Sequence, residues 1–309
     1  IVGHWADTPV ASTTDRIATH KLGGVIIMTA PDRATTTNDW VATWQSAAST
    51  TLFVGVDQEG GVVSRYKNGF TLTSQRDITS TSSAYAVGKT RGEELAALGI
   101  NLNFAPVLDI AHSSTSFMYK RSFPDRSTSA SFAIEMTRGL REAGVIGVAK
   151  HFPGHPDTDT DSHFTLPTSS TTKTELATFA APFLEMITTT PPAALMTAHV
   201  LFPNIDTVPV TLSQTFLTDY LRTELGYQGL IITDDLSMDA IDEGRTIGEA
   251  AVLALLAGTD VVLLSSEPGK IEEAVEAVKA AVGAGQLPAE RITESYERIL
   301  KLKKATTQD

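Results

Sequence analysis

The chain has 309 residues, with 24 Lys and Arg against 36 Asp and Glu, and a formal net charge of −12. Its 42% hydrophobic and 19% charged residues are too apolar for a disordered chain, and the acidic balance supplies no basic patch for nucleic acid or an anionic membrane. The absence of cysteine excludes disulfides, Cys-ligated zinc and thiol nucleophiles, and no apolar run approaches the roughly 20 residues that span a bilayer.

Taken in chain order, eight short apolar runs read as strands: Ile1–Trp5, Gly24–Met28, Leu52–Asp57, Leu102–Asp109, Val145–His151, Ala194–Val200, Leu230–Asp234 and Val261–Ser265. Each is continuously apolar rather than alternating, as strands buried on both faces of a parallel sheet must be. Helical signals lie between them. Ser83 reads as the N-cap of a helix to Leu98, stopped at Gly99. Ser127 to Ser131 open another, whose Phe132, Met136 and Leu140 share one face before Gly144. Thr246 to Leu256 is almost wholly apolar and small. Near the C-terminus Ile271, Val275, Val278 and Val282 repeat at helical spacing, as do Ile292, Tyr296 and Ile299.

About eight βα units without a Pro/Gly/Ser linker predict one (β/α)8 TIM-type barrel over residues 1–309, a single catalytic domain expected to act as a monomer. The competing open doubly wound sheet would carry about five or six strands, and no Gly-x-Gly-x-x-Gly follows the first run. The chain opens on Ile1 rather than methionine, so its start is expected to be trimmed. The Thr/Ser-rich, Lys-poor, cysteine-free composition favours an exported bacterial protein, secreted or lipid-anchored, over a cytoplasmic one.

Active sites of such barrels form at the C-terminal ends of the strands. Those ends carry Asp57, Asp109, Lys150-His151, His199 and Asp234. Chance supplies one or two ionisable residues there, whereas this many on one rim indicates a catalytic mouth. The loop after the fifth run, Lys150-His151-Phe152-Pro153-Gly154-His155-Pro156-Asp157-Thr158-Asp159-Thr160-Asp161-Ser162-His163, is too rich in Pro, Gly and Asp for helix or strand. Its residue types suit a metal site through His151, His155 and His163, an acid–base pair in which Asp161 orients His163, or a solvated loop of Asx-turns. Spacing leaves the first two equal. At the seventh run, Thr233-Asp234-Asp235, neighbouring residues face opposite ways, so one carboxylate points into the mouth. A carboxylate there, opposite a loop-borne acid, is the arrangement of a retaining glycosidase.

Four segments carry a family resemblance: Asp57-Gln58-Glu59-Gly60-Gly61-Val62-Val63-Ser64-Arg65; Leu102-Asn103-Phe104-Ala105-Pro106-Val107-Leu108-Asp109; Lys150 to His163; and Thr233-Asp234-Asp235-Leu236-Ser237-Met238. In this order they resemble glycoside hydrolase family 3, and within it the NagZ-type β-N-acetylglucosaminidases, whose loop ends in the same Asp-Ser-His. The resemblance implies a retaining exo-β-N-acetylglucosaminidase acting on small GlcNAc-containing carbohydrates, peptidoglycan fragments or chitooligosaccharides, with no cofactor and no metal. It implies Asp234 as nucleophile, His163 as general acid/base and Asp161 as its dyad partner. Asp57, Arg121, Lys150 and His151 match positions that bind sugar hydroxyls, with Arg65 and His199 ranked below them.

A histidine acid makes physical sense beside an anionic carboxylate, which favours imidazolium but would raise the pKa of a second carboxylic acid. Neutral imidazole would also admit an anionic acceptor, so a β-N-acetylglucosaminide phosphorylase stands as an alternative. A metal-dependent hydrolase using the His/Asp-rich loop and a sugar-binding protein without turnover are the others. The chain departs from the family pattern at Pro156, where glycine is usual, in a shortened segment between Asp109 and Arg121, and at Met28-Thr29-Ala30. These positions bear on the leaving-group side of the mouth more than on the chemistry.

Overall fold

The computed structural model describes residues 1–31, 34–156, 160, 162, 164–242, 244–265 and 268–305. Eight parallel strands form the barrel in the order β1 (Val2–His4), β2 (Gly24–Ile27), β3 (Phe53–Val56), β6 (Leu102–Asn103), β7 (Ile146–Phe152), β8 (Ala194–Thr197), β9 (Leu230–Asp235) and β10 (Val261–Leu263). Closure comes from a bridge between Val2 and Leu264, with the Gly3 N–H donating to the Leu264 carbonyl at 2.8 Å. The remaining two strands, β4 (Gln58–Gly60) and β5 (Val63–Ser64), form an antiparallel hairpin on the rim.

Every predicted run contains a strand, and the apolar continuity has its cause in two cores. Ile26, Phe53, Leu102, Ile146, Val148, Leu230 and Ile232 fill the barrel. Their neighbours Val25, Ile27, Val54, Val56 and Ile231 pack outward against the helices. Both faces are therefore dry. The fourth run is much shorter than predicted, because Pro106 has no N–H to continue a ladder. The chain rejoins β7 at a bridge between Val107 and Lys150, which sets Asp109 beside His151.

Helices surround the barrel. The α1 (Val10–His20) and α2 (Ala34–Ala47) helices precede α3 (Thr81–Ala96), whose cap is Ser80 rather than the expected Ser83. Ser83 is the other half of a capping box, accepting from the Ser80 N–H at 3.2 Å. The next helix, α4 (Arg126–Glu142), is capped by Asp125 and buries Phe132, Met136 and Leu140 as predicted. The two pack closely enough that a Cβ on Gly88 would lie 2.2 Å from the Met136 carbonyl oxygen. Two short helices, α5 (Leu176–Phe179) and α6 (Ala181–Thr189), follow β7, and α7 (Asp239–Asp242) follows β9. The last three are α8 (Ile247–Ala257), capped by Thr246, then α9 (Pro268–Gly283) and α10 (Ala289–Ala305). Among the described residues no helix is long and apolar enough to cross a membrane.

Candidate active site

A cavity of about 980 Å³ opens at the C-terminal ends of the strands, lined among others by Asp57, Glu59, Arg65, Arg121, Lys150, His151 and Asp234. Six of the predicted site residues thus share one space.

The ionic half of this cavity starts from the β4–β5 hairpin. Gln58 ties it down: its side chain accepts from the Tyr66 N–H at 3.0 Å and donates to the Tyr66 carbonyl at 2.7 Å. Gly60 makes the turn at φ +88°, where a Cβ would also meet the Thr73 carbonyl at 2.2 Å. That turn drives Glu59 inward, 1% exposed. Its carboxylate takes two parallel bonds from Arg121, at 2.9 and 2.8 Å, and one from Lys150 at 2.7 Å. Lys150 also donates to Asp57 at 2.8 Å, and Arg65 reaches the other Asp57 oxygen at 3.3 Å. Burial opposes the charge on Glu59, but the two cations outweigh it and hold the carboxyl far below the usual range. Burial likewise opposes the Lys150 ammonium, and Asp57 and Glu59 keep it charged, its pKa raised.

Asp109 organises the next layer. Fully buried, it accepts from His151 Nδ1 at 2.6 Å, from the His155 N–H at 2.7 Å and from the His151 N–H at 3.2 Å. A carboxylate only accepts, so His151 Nδ1 bears a proton there, and Nε2 turns toward the cavity. There Nε2 lies 3.8 Å from Asp234 Oδ2. His155 is itself buried, and burial pushes its pKa down to about 4.

The end of β9 brings two adjacent carboxylates to the cavity, against the expectation that one alone would reach it, and gives them different partners. Asp234 faces the cavity. Burial disfavours its charge, but His151 and His199, the Asp235 N–H at 2.8 Å and Lys150 together bring its pKa down to about 2. Asp235 also borders the cavity, but its carboxylate is taken up by the N–H groups of Ser237 and Ser265, both at 3.0 Å, and by both hydroxyls. His199 sits beneath this strand end, outside the cavity wall as far as the described residues define it. Its Nε2 donates to the Asp235 carbonyl at 3.0 Å and its Nδ1 meets the Thr211 hydroxyl at 2.8 Å. Burial lowers its pKa, against the opposing pull of the Asp234 carboxylate.

Asp161 and His163 lie outside the described residues, as do Asp157, Thr158 and Asp159 of the same loop. Among the described residues no group of His, Asp and Glu is arranged to hold a metal ion. Sequence reasoning left out Glu59 and placed Asp109 on the rim without a role, although both stood in view. Glu59 follows Asp57 by two positions, and Asp109 ends an apolar run.

Residues 5–302 match the model of the glycosyl hydrolase family 3 N-terminal domain. The chain belongs to glycosyl hydrolase family 3. As a family 3 chain it is 33% identical over 295 residues to β-hexosaminidase A of Pseudoalteromonas piscicida, covering 85% of this chain and 49% of that protein. It is 34% identical to a β-hexosaminidase of Neisseria gonorrhoeae, covering 72% of this chain and 65% of that one. Among solved structures, a family 3 β-N-acetylglucosaminidase from Paenibacillus sp. str. FPU-7 superposes with a TM-score of 0.89 at 35% identity, over 99% of this chain and 60% of that one. A β-N-acetylhexosaminidase from Beutenbergia cavernae gives 0.88 at 31% identity, over 98% of this chain and 95% of the other. The family 3 chain thus spans about half of the first curated relative and somewhat under two thirds of the second.

Proposed function

We propose that this domain is a retaining exo-β-N-acetylglucosaminidase that removes terminal β-linked GlcNAc from small carbohydrates such as peptidoglycan fragments or chitooligosaccharides. The observation that carries the reading is Asp234, an ionised carboxylate facing the cavity beside an imidazole and a buried cluster of charged hydrogen-bonding groups. That cluster suits the hydroxyls of a terminal sugar, since Asp57 accepts while Lys150 and Arg121 donate. His151 offers Nε2 to the same ring. His199 and Lys150 support the charge on Asp234, and Arg65 holds Asp57 in place. The N-acetyl preference is supported by the relatives above, each named for action on N-acetylhexosaminides or hexosaminides.

In the first step Asp234 attacks the anomeric carbon, the glycosidic C–O bond breaks, and the leaving oxygen takes a proton from His163. In the second, His163 removes a proton from water, which displaces Asp234 and frees the sugar. Asp161 would orient and polarise the imidazole throughout. Both loop residues enter on the family resemblance alone, and the metal-free, cofactor-free, single-domain scheme is part of the same proposal.

A 2-deoxy-2-fluoro glycoside with a good leaving group should arrest the enzyme as a glycosyl ester, and the labelled peptide should contain Asp234. A label on another residue refutes the nucleophile assignment. Asp234→Asn should abolish turnover. His163→Ala should slow natural substrates far more than activated aryl glycosides; equal slowing removes the general-acid role. GlcNAc-1-phosphate as the main product in phosphate buffer would replace hydrolysis by phosphorolysis.

A further inference from the structure

The cavity is larger than one sugar ring requires: about 980 Å³ is the size of site that encloses a drug-sized ligand. Its two halves differ. The buried ionic cluster comes from β3, the hairpin, Arg121 and β7. On the other side of Asp234 the barrel continues through β10 and β1 to β2. That side is lined by Trp5, Met28 and Met238, with Asp7, Thr8 and Arg16 at its edge.

We propose that Trp5 is the stacking platform for the sugar ring on the leaving-group side of the scissile bond. This rests on reading Asp234 as the nucleophile. A terminal ring whose hydroxyls meet Asp57, Lys150 and Arg121, and whose anomeric carbon meets Asp234, carries its leaving oxygen on the ring face opposite Asp234, toward the open mouth of the cavity. Trp5, just beyond the end of β1, lines the same cavity as Asp234. Trp5 is 44% exposed there, whereas Trp40 and Trp44 are buried at 7% and 0%. It is also pinned: its Nε1–H donates to the Ser265 carbonyl at 3.1 Å. Ser265 in turn donates to the Asp235 carboxylate, and the Asp235 N–H to Asp234. One hydrogen-bonded chain therefore ties the indole to the nucleophile's strand end. An indole held with a wet apolar face suits the C–H face of a pyranose, with little side-chain entropy left to lose. The ligand class is a β-linked oligosaccharide of two or more rings.

The test uses tryptophan emission in the Asp234→Asn protein, which cannot turn over. Because the other two tryptophans are buried, chitotriose should shift the emission and free GlcNAc should not. Adding Trp5→Phe should remove that shift. In the active enzyme, Trp5→Ala should lower the ratio of kcat/KM for chitobiose to that for the β-glycosyl fluoride about tenfold, and Trp5→Phe should restore part of it. Calorimetric binding of chitotriose without an emission change, or a ratio within about twofold of wild type, overturns the platform. A wild type that cleaves aryl β-glucosides and ignores β-GlcNAc overturns the substrate reading instead. The emission test with cellotriose then decides Trp5 on its own.

Discussion

Glu59→Gln removes one negative charge from the centre of the ionic cluster while nearly preserving volume. In the wild type that carboxylate, 1% exposed, serves Arg121 through two bonds and Lys150 through a third. The amide has a single accepting oxygen, so one cation must face its NH2 group. Lys150 keeps Asp57 as a partner at 2.8 Å, and Arg121 loses its only carboxylate ligand among the described residues. Removing one member of a buried pair costs about 3–5 kcal/mol, which in a domain of this size lowers Tm by on the order of 10 °C. The pH dependence separates this from simple mispacking. Glu59 has a folded pKa far below its unfolded value near 4.5. Its contribution is therefore fully present above that value and is lost as pH falls through it toward the folded pKa. Urea titrations of both proteins from neutral pH downward should show the stability gap constant until the solution nears pH 4.5, then narrowing. A gap under about 1 kcal/mol at neutral pH, or one that stays unchanged down to about pH 3, refutes the reasoning.

Four further perturbations test other parts of the structure. Asp109→Asn cannot accept from both His151 Nδ1 and the His155 N–H, so kcat/KM should fall about 10- to 100-fold with an unchanged circular dichroism spectrum; activity within about twofold of wild type would show that His151 needs no such orientation. With a pKa of about 2, Asp234 stays ionised through the ordinary range, so the rate of inactivation by the fluoro sugar should be level on the acid side from neutrality to about pH 4. Lys150→Met withdraws a cation that lowers that pKa and should move the acid limb upward; an unmoved limb would deny the coupling. Gly88→Ala forces a Cβ against the Met136 carbonyl and should destabilise the protein by about 1–3 kcal/mol or more in thermal unfolding, with the site chemistry intact.

The barrel itself was legible in the chain because its cause is local: a strand dry on both faces must be apolar at every position, and the amino-acid order displays that directly. The residues at the strand ends were legible for the same reason. The hairpin at Gln58–Ser64 was not, since its strands are two and three residues long and held by Gln58 and by a glycine turn rather than by an apolar pattern. Nor were the partnerships. Lys150 meets Asp57 across 93 positions, and His151 meets Asp109 across 42. Such pairs depend on strand order, on the break at Pro106 and on the register shift in β7 between Ala149 and Phe152. The amino-acid order alone settles which groups reach the mouth of the barrel. Closure of the sheet decides which of them share a proton or a charge, because ionic and hydrogen-bonding energies act over a few ångströms between residues far apart along the chain.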